Sequence, residues 1–442
     1  MDAGVSKLLI IGVGAILVGL TVLVLLLRRD LLPASALQGG GRWFLGAALG
    51  LGIIAFSIKL AIIATISTFP SRTIAPLISK SDAEYLHPQD MPDLPAFLSG
   101  KAGLDPAVWQ ALPERAPDPA DNPSTPEKVV LGEKLFFDPN LSQNRTVACA
   151  SCHDIARKGG ADGLPTAVGI TKVPGPRNSP TVWNAAFQLV LFWDGRAASL
   201  EEQAAGPPLN PGEMGMPSAA AIEDRVKADT AYGPMFERAF GVGVAITMDR
   251  ITAAIAAYER TLITPDTPYD RFVHGEAGAL SVPQKRGMWL FQSVGCVNCH
   301  TGPNFSGASV FGIVSPYRLF PAWDSPYKAR YDLVSDKGKA SPESQQGIWR
   351  IPSLRNVALT APYFHNGSVS ELKEAVRVMA VSQLNVVISG DGGPAQPSDW
   401  KPGAKRFDAH NRRILGEAEV DDLVAFLNAL TSDRLRDKSA SR

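Results

Sequence analysis

The sequence is poor in the side chains that carry most metal and thiol chemistry, with four cysteines and six histidines in 442 residues. No histidine occurs between His153 and His274. An excess of charge is missing too: 43 basic and 43 acidic residues cancel, which argues against nucleic acid as a partner. Apolar material is not scarce. It makes up 45% of the residues, enough for packed cores and against global disorder. At about 150 residues per domain, the length suggests roughly three domains.

The few cysteines are not scattered. They form Cys149-Ala150-Ser151-Cys152-His153 and Cys296-Val297-Asn298-Cys299-His300. Two thiols separated by two residues, with a histidine directly after, make the attachment sequence of a c-type haem. The thiols add to the vinyl groups and the imidazole binds the iron. Two disulfides or a zinc site would use the same cysteines, but neither requires a histidine directly after each pair. The sequence therefore implies two covalent haem c groups. Attachment of this kind is made outside the bacterial cytoplasm.

The apolar residues are unevenly placed. Residues 8–27 form a continuous uncharged run long enough to span a bilayer, and 43–66 form a second, broken only by Lys59. The loop between them carries Arg28, Arg29 and Arg42. Basic loops stay cytoplasmic, which places everything after residue 66 on the outer, periplasmic side of a bacterial inner membrane. A cleaved signal peptide ending at Ala34-Ser35-Ala36 competes with this reading. The long apolar core and the arginines directly after it oppose cleavage. Residues 1–69 are thus expected to be a two-helix anchor in the lipid bilayer.

Prolines recur through 70–125, which reads as an extended linker, with His87 a surface residue. Helical spacing over 126–137 precedes the first haem motif, and 249–262 has the apolar stripe of a closing helix. The pattern returns with 283–291 before the second motif and 417–430 after it. The expected fold is mainly α: a tandem of two cytochrome c-like haem domains with long loops, over 126–282 and 283–430. A polar tail at 431–442 is expected to fray.

Each motif supplies one axial ligand, so the sixth position of each iron decides between electron carriage and an open reactive site. After the second motif, 368–380 reads as a helix carrying Met379, whose thioether would raise the potential of the second haem. Around the first motif only Lys158, Lys172, Met214 and Met216 are near, and none is persuasive.

The soluble part then resembles the bacterial dihaem cytochrome c peroxidases. It is also similar to their relative, the dihaem enzyme that matures methylamine dehydrogenase. The resemblance rests on C-A-S-C-H, R-N-S-P-T-V-W-N-A-A-F, F-W-D-G-R-A, S-L-E-E-Q and P-G-E-M-G, followed by R-I-P-S-L-R-N-V and L-T-A-P-Y-F-H-N-G. It implies a peroxidatic first haem and an electron-entry second haem held by His300 and Met379. It makes Glu213 the distal acid–base, Gln203 its polar neighbour and Trp193 an electron relay between the haems. It places a calcium site at Asn178 with the Thr360 and Pro362 carbonyls, and gives His365 a supporting position rather than an iron ligand. Family members are often homodimers. Many also carry a histidine where this chain has Ile170, which ligates the resting first haem. The enzyme that matures methylamine dehydrogenase has tyrosine where this chain has Met379.

The chemistry of Glu213 stands beside the resemblance. Heterolytic cleavage of peroxide moves a proton from one oxygen to the other, which a carboxylate of raised pKa in a dry pocket does well. The expected function is reduction of hydrogen peroxide to water with electrons from a small cytochrome c, a copper protein or a membrane cytochrome. Two alternatives are oxidation of a protein or organic substrate at the same open haem, and electron transfer without turnover.

Overall fold

The computed structural model describes residues 93–100, 103–312, 314–389 and 406–440. Residues 8–27 and 43–66, expected to form the anchor, lie outside the described residues, as does His87. Among the described residues no helix is long and apolar enough to cross a membrane.

The fold is mainly helical. Asp93 caps α1 (Leu94–Leu98) by accepting from the Ala96 amide at 2.8 Å. Thr125 caps α2 (Pro126–Phe136), whose proline sits in the first turn, where its missing N–H costs nothing. The first motif follows on the single turn α3 (Cys149–Cys152). Next come α4 (Leu200–Leu209), α5 (Ala219–Ala228), α6 (Tyr232–Phe240) and α7 (Met248–Glu259). Then α8 (Pro268–Val273) leads to α9 (Val282–Val294), where Ser281 and Gln284 cap each other's amides. Beyond the second motif lie α10 (Pro326–Arg330), α11 (Leu372–Leu384), α12 (Glu417–Ala429) and α13 (Asp433–Ala440).

Short strands tie the loops of the second half. β1 (Tyr317–Phe320) and β2 (Gly347–Arg350) pair antiparallel, with Tyr317 opposite Arg350. β5 (Arg413–Leu415) lies between β3 (Val387–Ile388), parallel to it, and β4 (Arg406–Phe407), antiparallel to it.

One helix crossing is built twice. Leu131, Leu135 and Phe136 of α2 pack with Ile251, Ile255 and Tyr258 of α7. Met288, Leu290 and Phe291 of α9 pack with Leu423, Phe426 and Leu427 of α12. Burying such a side chain contributes about 1.5–3 kcal/mol, so packing rather than local propensity holds these helices. At each crossing the backbones touch at a glycine. A Cβ at Gly132 would fall 1.9 Å from the Ala254 carbonyl oxygen, and one at Gly287 1.9 Å from that of Asp422. Arg286 of α9 also grips Asp422 of α12 through two hydrogen bonds, at 2.7 and 2.6 Å.

The structure departs from three expectations. The end of the 70–125 linker is not an extended spacer, because Leu94, Phe97, Val108 and Trp109 are buried in the core of the second crossing. Trp109 Nε1 donates to Gln292 of α9 at 3.2 Å, and the Leu112 amide donates to Asp270 at 2.9 Å. Apolar residues between the prolines dock the chain on the second half before it builds the first. The 431–442 tail is not frayed throughout, since α13 forms and Leu435 is 1% exposed. Ser432, just before it, is held on both sides: Asn356 accepts its amide and Asp266 accepts its hydroxyl. The helix expected over 368–380 begins at Leu372 instead, because the Val369 carbonyl closes a turn with the Tyr363 amide.

Candidate functional site

Both motif histidines are held from behind. Nδ1 of His153 lies 3.1 Å from the Gly160 carbonyl oxygen, and Nδ1 of His300 lies 3.1 Å from that of Phe305. Donating there, each ring keeps its Nε2 lone pair for a metal. Desolvation lowers both imidazole pKa values, that of His300 to about 4, so both rings are neutral near pH 7. The four thiols are unpaired, which removes the disulfide reading. Among the described residues no cluster of three or more His, Cys, Asp or Glu side chains is placed to hold a metal ion.

The two motifs open on one cavity of about 710 Å³. Cys152, His153, Cys296, Cys299, His300 and Met379 line it. Cys149 packs against the core of the first crossing. Unpaired thiols, the two motif imidazoles and a large, mostly apolar cavity fit two haem c groups.

Glu213, Gln203 and Trp193 line the same cavity. Gln203 is carried by α4, which Ser199 caps through the Glu202 amide. Glu213 sits in the turn that ends this helix, and its Oε1 accepts from Asn210 Nδ2 at 2.7 Å. Desolvation raises the Glu213 pKa, while Arg196 and the Asn210 hydrogen bond pull it down; the net direction is up. A carboxyl so placed holds a proton more readily than one exposed to solvent.

Trp193 Nε1 donates to the Asn178 carbonyl at 2.9 Å. Its ring meets Trp349 edge-on at 6.4 Å and His365 at 6.5 Å, and Trp349 stacks on His365 at 4.0 Å. Asn178, Thr360 and Pro362 all line the cavity. The Asn178 Nδ2 is anchored by the Leu164 and Pro165 carbonyls, at 2.9 and 3.3 Å, which leaves Oδ1 as the free end of the amide. An amide oxygen with two carbonyl oxygens is a donor set that suits a hard cation such as calcium. His365 also lines the cavity; its Nε2 is buried without a partner, and desolvation lowers its pKa to about 4.

The other candidate ligands of the first iron stay away. Lys158, Lys172, Met214, Met216 and Ile170 are not among the residues lining the cavity. Met214 and Met216 are instead 2% and 3% exposed in the core of the first crossing. His274 and His410 are exposed.

Sequence reasoning missed two cavity residues. Glu259, the last residue of α7, lines the cavity with its Oε2 buried and unpartnered. Burial pushes its pKa up to about 8. Its place next to Tyr258 on an apolar stripe was the available signal. Asn210 stands three residues before Glu213 in N-P-G-E, a turn pattern that could have marked it.

The model of the di-haem cytochrome c peroxidase family matches residues 126–278. The cytochrome c551 peroxidase of Pseudomonas aeruginosa is 40% identical over 334 residues, 75% of this chain and 86% of that protein. The methylamine utilization protein MauG of Methylorubrum extorquens is 37% identical, over 73% of this chain and 83% of its own. Among solved structures, a MauG-like protein associated with microbial copper homeostasis is similar, with a TM-score of 0.61 and 30% identity. That match covers 75% of this chain and 97% of the other.

Proposed function

We propose, for a chain that belongs to the di-haem cytochrome c peroxidase family, that it reduces hydrogen peroxide to water with electrons from a small cytochrome c, a copper protein or a membrane cytochrome. Family membership implies two haem c groups, attached at Cys149 and Cys152 and at Cys296 and Cys299. The observation that carries the reading is the convergence of both motif histidines, Met379 and the desolvated Glu213 on one cavity.

When bound, the haem at the first motif supplies an iron at which the O–O bond of peroxide is cleaved. His153 would be its protein ligand, while His300 and Met379 would hold the second iron. Glu213 takes the proton from one peroxide oxygen and returns it to the departing one. Gln203 orients peroxide beside it. Trp193 lies on the route of the electrons. Asn178 with the Thr360 and Pro362 carbonyls would hold calcium, and the hydrogen bond from Trp193 to the Asn178 carbonyl would tie that site to the relay. Residues 8–27 and 43–66 anchor the chain in the inner membrane, with the haem domains on the periplasmic side. Recovery of the full chain in the soluble fraction without detergent would remove the anchor from this proposal.

The test is peroxide-dependent oxidation of a reduced cytochrome c by the purified holoprotein. Glu213→Gln should slow turnover by about 10²-fold or more with haem content intact, the usual scale of acid–base assistance. A second reading, oxidation of a protein or organic substrate, is favoured by the 37% identity to MauG. Failure to turn over peroxide, with a high-spin first haem, would favour it. Failure with two low-spin haems would favour electron transfer alone.

A further inference from the structure

We infer that Asn210 is a positioning residue for Glu213, holding its carboxylate in one orientation and in the ionised form. The inference rests on the proposed role of Glu213 and deepens it. Asn210 ends α4 and is the hub of the turn N-P-G-E-M-G. Its carbonyl accepts from the amides of Glu213 and Gly215, at 3.1 and 2.9 Å. Its Oδ1 accepts from the Gly212 amide at 2.9 Å, and its Nδ2 donates to Glu213 Oε1 at 2.7 Å. One side-chain amide therefore closes the turn with its oxygen and grips the carboxylate with its nitrogen. Asn210 also lines the cavity that holds Glu213 and Gln203.

The grip matters because Glu213 must be ionised before it can take a proton from peroxide. Desolvation by the cavity works against that form. An N–H donor bonds a charged oxygen more strongly than a neutral one, so Asn210 favours the carboxylate. Few other groups can do so. The charge that faces Glu213 is Arg196, from the loop after Trp193. It is half exposed and paired with Asp194 at 3.0 Å, so solvent and its partner weaken its field. The 169–170 loop, packed on the Gly212 and Glu213 backbone, brings the Ile170 amide to the Glu213 carbonyl and no charge. From α4 comes the uncharged Gln203, and from the first motif comes Cys152, whose thiol is consumed by haem attachment.

The experiment is the pH profile of kcat/KM for hydrogen peroxide, with reduced cytochrome c as donor. It uses the holoprotein and its Asn210→Asp, Asn210→Leu and Glu213→Gln variants. Aspartate keeps an oxygen for the Gly212 amide and replaces the donor with a second acid, whereas leucine loses both contacts. The acid limb of Asn210→Asp should move up by about one pH unit or more, making it about tenfold slower on that limb. Asn210→Leu should shift the same way from a lower plateau. A limb that stays at the wild-type pH in both variants, while Glu213→Gln still removes it, overturns the inference and leaves the proposed function standing. Wild-type rate and limb in Glu213→Gln instead removes Glu213 from the chemistry, and this inference falls with it. If Asn210→Asp fails to load haem, the limb of Asn210→Leu decides alone.

Discussion

A carboxyl oxygen buried without a partner, as Oε2 of Glu259 is, makes ionisation of that side chain unfavourable in the folded protein. Its folded pKa of about 8 stands above the ordinary 4.5, so the folded state holds the proton more tightly than the unfolded chain. The resulting stabilisation is complete below pH 4.5 and is lost progressively as pH rises to about 8. Glu259→Gln carries no such charge. It should raise stability by about 1–3 kcal/mol at pH 8 and leave it nearly unchanged at pH 5, in thermal melts of the holoprotein. An equal effect at both pH values would mean that Glu259 is ionised and paired. Met379 makes a second residue-scale case. It sits half-buried on α11 against the apolar cluster that includes Trp349 and Tyr363, and lines the cavity with His300. Met379→His should keep the second haem low-spin while lowering its potential markedly in a redox titration, within the ~0.8 V span that axial ligands command. An unchanged potential would take Met379 out of the coordination shell.

At the scale of elements, the repeated glycine crossing is the feature most exposed to substitution. In sequence, Gly132 and Gly287 register only as a helix penalty of about 1 kcal/mol each. The reason for them lies on the partner helix, where the Ala254 and Asp422 carbonyls leave no room for a Cβ. Gly132→Ala and Gly287→Ala should each destabilise by about 3 kcal/mol, the upper end of overpacking, because the obstacle is backbone and cannot change rotamer. Melts followed separately at the two haems should show Gly132→Ala loosening the first and Gly287→Ala the second. A neutral result would mean the crossings slide apart without cost. The same contrast explains what was legible here. Helices with an apolar period, such as Pro126–Phe136 and Glu417–Ala429, could be placed from sequence almost to the residue. The docking of Leu94, Phe97 and Trp109 could not, since isolated apolar residues among prolines have no period and their partners lie on α9 and α12.

Across the whole molecule, the attachment motifs announced two haems, but only folding shows what surrounds each one. Glu213 and Gln203, which both line the cavity, were named through resemblance. Asn210 and Glu259 were not, because a hydrogen bond and a desolvated carboxyl are properties of the assembled cavity. Assembly also bears on the first iron. Ile170 donates its amide to the Glu213 carbonyl at 2.9 Å, and its side chain packs against the core of the first crossing. A hydrocarbon has no lone pair to offer in any case. Met214 and Met216 are committed to that core, and Lys172 and His274 are exposed. The imidazoles and thioether that line the cavity are His153, His300, His365 and Met379; three of these are the proposed iron ligands, and no lysine joins them. The fully oxidised holoprotein should therefore show one high-spin haem, five-coordinate or bound only to water, and one low-spin haem. Peroxide should react with it without prior reduction, and cyanide should shift the spectrum of one haem only. Two low-spin ferric signals, with peroxide reactivity appearing only after one-electron reduction, would show that a loop of this chain moves to deliver a ligand to the first iron.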